Sequence, residues 1–302
     1  MAFAIGLRVY RVSITRKSDK ERMTIGPAAA PCDLFAFAEQ FAQIKQEPTV
    51  ESEEQRTWFF EPKDTNSIRT VHGYINYGTH GFESKFKDVK TRKEKYSRQS
   101  SDLEEIPLYF QMWIPEDSEF ALMAFQSFQS RSCVGFVRAS MIASFEERYP
   151  QYRLNFNVVA NHATFLNSAP VKSVTFHRPK TVSDRAERYF LGRGSDEVDY
   201  DLTVRARKRG YSLSTYGELK DRFPATTQGY VEFDGHQFEN VTADVQIGRK
   251  RRSVGVYGTG FDAGYLDISE QVRREPSGHP VFASIESEVD EILQDFFAGM
   301  TA

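Results

Sequence analysis

I-P-L-Y-F-Q-M-W-I, running from Ile106 to Ile114, is followed, after a turn read at Pro115 to Ser118, by F-A-L-M-A-F-Q-S-F from Phe120 to Phe128. In the first run Ile106, Leu108, Phe110, Met112 and Ile114 alternate with Pro107, Tyr109, Gln111 and Trp113, the period-2 pattern of a strand with one dry face. The second run is almost continuously apolar, as expected of a strand covered on both faces. Val134, Val137, Met141, Ile142 and Phe145 then recur at helical spacing. This strand, strand, helix unit specifies a scaffold and carries no chemistry.

Working outward, Phe3, Ile5, Leu7 and Val9 alternate and the phase shifts to Val12 and Ile14, which predicts a first strand with a bulge near Tyr10 and Arg11. Asp33 is placed to cap a helix with Leu34, Phe37, Phe41 and Ile44 on one face. Glu47 to Gln55 is acidic and aperiodic, the signature of a loose connection, and strand pattern resumes at Trp58 to Phe60. Gly73, Gly78 and Gly81 punctuate a meander from Ile68 to Val89, and Lys90 to Ser101 reads as a polar ribbon tip or loop.

After Asn161 to Pro170 come a strand from Val171 to His177, a short helix from about Val182 to Leu191 and a strand from Val198 to Lys208, a β-α-β order. Short strands follow to Tyr257, with a Gly248 to Arg252 turn, and Ile285, Val289, Ile292 and Phe296 mark a final amphipathic helix. The expected fold class is α+β: a mostly antiparallel meander sheet packed on helices in residues 1–165, and a second module in 166–302 with the β-α-β segment, a basic hairpin and the C-terminal helix. The 25 Phe and 14 Tyr favour such sheet-rich packing over a helix bundle.

Cys32 and Cys133 are the only cysteines, so neither a disulfide framework nor a clustered zinc site is expected. The first residues lack the apolar core of a signal peptide, and no segment approaches the roughly 18 uninterrupted apolar residues of a membrane span. The expectation is a soluble, cytoplasmic protein without membrane partners. No cofactor is implied. The formal net charge of −3 conceals segregation: Glu286, Glu288, Asp290, Glu291 and Asp295 crowd the last helix, and basic residues concentrate in three segments.

Those segments carry the strongest functional signal, because phosphates attract Lys and Arg while exposed rings stack on bases. Lys85, Lys87, Lys90, Arg92, Lys93, Lys95 and Arg98 accompany Phe86 and Tyr96 against Asp88 and Glu94 alone. In the strand near 205, Leu202, Val204 and Ala206 turn inward and leave Arg205, Arg207 and Arg209 in an outward row. Arg249, Lys250, Arg251 and Arg252 stand at a hairpin tip, free to reach a polyanion. The competing account is that charged tips and edges keep the chain soluble and block edge pairing. The phosphate-binding set is taken as Lys90, Arg92, Lys93, Arg205, Arg207, Arg249, Lys250, Arg251 and Arg252.

Enzymatic chemistry has less support, and no catalytic motif is recognisable. Metal-dependent nucleases present carboxylates with a D/E-x-K tripeptide, and Glu83–Lys85, Asp88–Lys90 and Glu218–Lys220 have that form at a frequency chance supplies. Asp64 with Glu83 and Lys85 is the alternative site. Gly258, Gly260 and Ala263 echo a dinucleotide fingerprint, but too little chain follows for the unit it requires, and a turn is the better account. His72 and His80 are placed to approach across the meander, His177 beside Arg178 to meet a phosphate, and Cys133 at a helix start where a thiol can be activated, but a surface or hydrogen-bonded structural role is the better account of each histidine and buried packing the better account of Cys133.

V-H-G-Y-I-N-Y-G-T-H-G from Val71 to Gly81, I-P-L-Y-F from Ile106 to Phe110 and the apolar strand near Phe125 together resemble a loose group of uncharacterised bacterial proteins of prophage and phage-defence gene neighbourhoods. The resemblance covers roughly residues 1 to 160, rests on glycine spacing and strand pattern, and supplies no catalytic residues. It implies a bacterial accessory or effector protein in place of a metabolic enzyme. The leading expectation is therefore non-sequence-specific nucleic-acid binding, which the resemblance sets within bacterial phage defence. The alternatives are a metal-dependent nuclease or other effector enzyme, and an interaction or sensor module that docks a protein partner or a second copy of itself.

Overall fold

A computed structural model describes residues 4–28, 31–65, 67–129, 131–159, 164–181, 198–208, 210–223, 230–233, 236–248, 250–258 and 264–301. The fold is α+β and strongly antiparallel, and the chain forms two compact units: Arg11–Phe156, and Met1–Tyr10 with Asn157–Ala302. Among the described residues no helix is long and apolar enough to cross a membrane.

The first strand, β1 (Ile5–Arg16), buries Ile5, Leu7 and Val9 and then Val12 and Ile14. Its change of burial phase at Tyr10 and Arg11 coincides with the division between the units. Within the 11–156 unit, β2 (Arg22–Met23) pairs with the end of β1, and α1 (Leu34–Ile44) follows. A meander is then built from β3 (Thr49–Glu51), β4 (Arg56–Lys63), β5 (Thr70–Thr79), β8 (Glu104–Trp113) and β9 (Ala121–Phe128), each antiparallel to the next. Between β5 and β8 the chain makes a separate two-stranded ribbon, β6 (Ser84–Lys87) and β7 (Glu94–Arg98). After β9 come α2 (Val134–Arg148) and β10 (Tyr152–Val158).

An aromatic column binds these layers. Phe145 of α2 meets Phe37 of α1 edge-on at 5.1 Å, Phe41 meets Phe60 of β4 at 5.9 Å, and Phe60 meets Phe110 of β8 at 4.7 Å. Such edge-to-face pairs add roughly 0.5–1.5 kcal/mol each beyond area burial. Asp33 caps α1 through the Phe35 amide at 3.0 Å, as its position predicts, and its carboxylate is also held by Arg69, at 2.5 and 3.0 Å. Arg69 donates in addition to the Ile114 carbonyl at 2.8 Å, so one ion pair fastens the helix start to the ends of β5 and β8.

Two expectations need correction here. Residues 47–55 are not a loose connection, because Thr49 to Glu51 pairs with β4 and Trp58 Nε1 donates to Glu51 at 3.0 Å. Strand β8 is not dry on one face only: Tyr109 and Gln111 are buried too, since the Tyr109 hydroxyl donates to Gln111 and its amide to the buried Gln126 side chain. Mutual hydrogen bonding removes the cost that would have kept these polar groups in water.

In the 157–302 unit, α3 (Thr164–Asn167) leads into β11 (Pro170–Thr181) and β12 (Val198–Arg205), then β13 (Ser214–Thr215), α4 (Tyr216–Arg222), a small ribbon of β14 (Val231–Phe233) and β15 (His236–Phe238), the hairpin β16 (Asn240–Ile247) and β17 (Lys250–Tyr257), β18 (Tyr265–Asp267), and α5 (Phe282–Thr301). The sheet order is β12-β11-β16-β17-β18, with β1 paired to β18 through Gly6 to Arg8. The expected helix at 182–191 lies outside the described residues. The strands on either side of it pair directly and antiparallel, Ser173 to Arg205 through His177 to Asp201, so the β-α-β order is not a parallel crossover.

One face of this sheet is apolar, with Val174, Phe176, Val241, Ala243, Val245, Val254 and Leu266 buried. The stripe Ile285, Val289, Ile292, Phe296 of α5 is buried in the same unit, as its spacing predicts. The alternation leaves the other face to Ser173, Thr175, His177, Asp201, Thr242, Asp244 and Ser253.

Candidate nucleic-acid interface

The ribbon β6–β7 holds seven basic residues against two acidic ones between Ser84 and Arg98, while the whole chain is net negative. Its root is rigid. Arg98 is 2% exposed and donates to the Thr79 and Asp102 carbonyls and, at 3.0 Å, to Glu104, while its guanidinium lies 3.9 Å from the Phe82 ring centroid. Gly81 enters the ribbon at φ +90, a backbone conformation that favours glycine, with the end of the Gln55 side chain where a Cβ would stand. Tyr96 donates its hydroxyl to Asp102, which also accepts from the Gln99 amide at 2.8 Å. Tyr96 first, then that amide, hold the Asp102 carboxyl below its ordinary value.

The tip is organised by one carboxylate. Asp88 accepts from Lys95 at 2.9 Å, the Thr91 amide at 2.9 Å, the Thr91 hydroxyl at 3.1 Å and the Lys90 amide at 3.1 Å, and its pKa is lowered to about 2, with the Lys95 contact the largest cause. This cage closes the turn in which Arg92 adopts φ +58 and its amide donates to the Asp88 carbonyl. Lys87, Lys90, Arg92 and Lys93 are all exposed and, among the described residues, make no ion pair. Lys85 pairs with Glu94 at 3.4 Å and Lys95 with Asp88, but both pairs are open to solvent and screened by it, little hindrance to a phosphate. Phe86 and Tyr96 face each other across the ribbon at 6.0 Å, 49% and 52% exposed.

The other two basic segments differ in kind. Arg205 and Arg207 are exposed, as the alternation predicts, and β12 is an edge strand. The outward row nevertheless continues through Thr203 to Asp201, so its charge is mixed, and Arg209 lies outside the described residues. The hairpin cations Lys250 and Arg252 are not free. Arg252 is 2% exposed and bonded to Glu288, itself 4% exposed, with Glu291 and Asp295 each at 3.6 Å from the same guanidinium. Lys250 reaches Glu291 at 2.5 Å and Glu288 at 3.1 Å, and Glu291 foremost holds its ammonium above the ordinary value. Register explains this: Lys250 and Arg252 oppose Ile247 and Val245 on the apolar face, and Arg251 opposes Gln246 on the other. Only Arg251 points outward there, and Arg249 lies outside the described residues.

The alternative metal site does not assemble. Asp64 lines a cleft of about 440 Å³ with Glu39 and Lys63, of which Glu83 and Lys85 are not part, and Lys85 faces Glu94. Among the described residues no group of three His, Cys, Asp or Glu is placed to hold a metal ion. His72 lies in β5 and His80 directly after it, so eight extended residues, roughly 26 Å, separate them instead of a strand-to-strand approach. His177 bridges Asp201 at 2.9 Å and the buried Thr242 at 3.0 Å, a cross-link of three strands that sequence reading missed. Cys133 is buried, its thiol pushed up to about 12 by desolvation, the opposite of an activated nucleophile. Gly258 is a close-approach glycine, since a Cβ there would meet Asn240 and the Glu239 carbonyl; the rest of the glycine-rich segment, 259–263, lies outside the described residues.

No protein-family model matches the chain, and no curated protein matches it.

Proposed function

We propose that this chain is a non-sequence-specific nucleic-acid-binding protein whose principal contact is the β6–β7 ribbon, acting in the cytoplasm of bacteria and, as the resemblance implies, in phage defence. The observation that carries the reading is the tip: Lys90, Arg92 and Lys93 project from a turn ordered by Asp88, without carboxylate partners among the described residues, in a chain whose remaining charge is negative. Phosphate contacts need mobile counterions displaced from the polyanion and no base readout, which suits cations on an exposed tip. Arg205, Arg207 and Arg251 are outward and serve as further phosphate contacts. Lys250 and Arg252 leave the set because α5 already neutralises them.

Fluorescence anisotropy with single- and double-stranded DNA and RNA across a salt series tests this, with Mg²⁺ present and product gels in parallel. Wild type should lose affinity steeply with salt and leave the strands uncut. K90A/R92A/K93A should make the slope of log K against log[salt] shallower by about 2 to 3, for three phosphates at roughly 0.7 to 0.9 each. Absent or salt-independent binding refutes the reading, and Mg²⁺-dependent cleavage replaces it with an enzyme.

A further inference from the structure

The ribbon carries more than charge. Phe86 and Tyr96 lie directly opposite in its register, each half exposed although the 11–156 unit has an aromatic interior in which to bury rings. Phe82 continues the strip at the ribbon's root, 46% exposed over the buried Arg98 guanidinium. The sequence interleaves the two chemistries: Lys85 and Lys87 flank Phe86, and Lys95 precedes Tyr96. The centroids of Phe86 and Tyr96 are 6.0 Å apart with the rings tilted by 31°, too close to admit a base between them, so their outward surfaces are what remains for contact.

From this geometry we infer that the ribbon binds single-stranded nucleic acid, stacking unpaired bases on Phe86 and Tyr96 while the neighbouring lysines hold the phosphates on either side. The inference rests on the nucleic-acid reading above and names its substrate. In a duplex each base hides both faces in its own stack, so lateral rings meet only sugar and phosphate. In a single strand the faces are open, and an aromatic platform beside a row of cations matches the alternation of base and phosphate. The excess of positive charge on the ribbon favours this occupant over an apolar surface of another protein. Each stacked base is worth roughly 5- to 150-fold in affinity.

Anisotropy on the full-length protein separates the contributions with three labelled probes: an oligo(dT) strand, an abasic strand of the same length and charge, and a duplex of that length. Oligo(dT) should bind at least about fivefold more tightly than the abasic strand, the lower limit for one stacked base. F86A/Y96A should abolish that difference and leave the salt slope unchanged, and F86L/Y96L should behave alike, since it keeps apolar area but removes the rings. Urea midpoints equal to wild type establish that both variants are folded. Equal, salt-sensitive affinity for oligo(dT) and the abasic strand overturns stacking but keeps phosphate binding. Full oligo(dT) preference in F86L/Y96L also overturns stacking. Preference for the duplex that is lost in V89S overturns it in favour of groove insertion by the 89% exposed Val89 at the tip. Failure of all three probes to bind at low salt sinks the nucleic-acid reading itself.

Discussion

Replacing either member of the Arg252–Glu288 pair should unfold the protein far more readily than replacing both. In E288A, Arg252 stays buried with its nearest carboxylates, Glu291 and Asp295, 3.6 Å away instead of in contact. Breaking a buried pair in this way costs about 3–5 kcal/mol, and the two residual carboxylates place E288A near 3. R252A is worse, because it leaves three carboxylates, one of them 4% exposed, against Lys250 alone, and it belongs near 5 kcal/mol. R252M/E288L removes both charges from the apolar face, keeps the Lys250–Glu291 contact at 2.5 Å, and should lie within about 1 kcal/mol of wild type or above it. Urea unfolding reads these directly: with a slope of about 2 kcal/mol per molar, the single variants lose about 1.5 to 2.5 M from their midpoints and the double variant almost nothing. Single-variant losses below about 1 kcal/mol would show an ordinary surface pair. An R252A protein of normal stability with a flattened salt slope would refute the reasoning outright and return Arg252 to the phosphate-binding set.

Acid should act through Asp33, whose carboxyl is held below its ordinary 3.8 chiefly by Arg69. A depressed carboxyl contributes stability above pH 3.8 that is lost as pH falls through its folded value, so wild type should lose stability below about pH 3.8 and D33N should lose less over the same window, starting about 1–3 kcal/mol lower at neutral pH; parallel acid curves in thermal melts would contradict this. Cys133, buried with its thiol pushed up to about 12, should resist alkylation until the chain unfolds, whereas the partly exposed Cys32 reacts first; mass spectrometry of timed samples discriminates, and early labelling of Cys133 would show that its helix start opens to solvent. R98A removes the contacts to Thr79, Asp102 and Glu104, so hydrogen exchange should quicken across β6 and β7 while β8 and β9 remain protected, and affinity for oligo(dT) should fall; unchanged protection in the ribbon would mean that Arg98 does not anchor it.

Much of the scaffold was legible because periodicity records which face is dry. Ile106, Leu108, Phe110, Met112 and Ile114 are all buried, as are Val134, Val137, Met141 and Phe145, and the Asp33 cap and the α5 stripe also stand where their spacing puts them. Polar residues escaped this logic wherever they satisfy one another. Tyr109 and Gln111 read as a wet face and are interior, and His177 reads as a lone histidine yet ties three strands. The interface was half legible for a related reason: a run of basic residues has one appearance in sequence whether it faces water or a carboxylate. At 250–252 the deciding signal was present at long range, since Glu288, Glu291 and Asp295 share the α5 face whose apolar residues cover the sheet, and alternation sends Lys250 and Arg252, but not Arg251, to that side.

The same accounting separates the ribbon from a merely solubilising tip. A two-stranded hairpin is marginal in water, and one needed only for its charge has no reason to be ordered. This one is rooted by a buried arginine, braced by Tyr96 on Asp102 and closed by a carboxylate that accepts four hydrogen bonds. Each of those devices engages a basic or acidic residue internally, and none engages the side-chain charge of Lys87, Lys90, Arg92 or Lys93, the turn using the Lys90 and Arg92 amides instead. The acidic residues of the ribbon are therefore used to fix its shape, while the unopposed cations and half-exposed rings are left facing outward on a framework rigid enough to hold their spacing. Preorganised cations lose less freedom when they meet a polyanion than the same residues on a loose loop. Replacing Asp88 by alanine tests that step: it adds net positive charge, so a solubilising or purely electrostatic tip should bind at least as tightly, whereas a preorganised one should bind more weakly at the same salt.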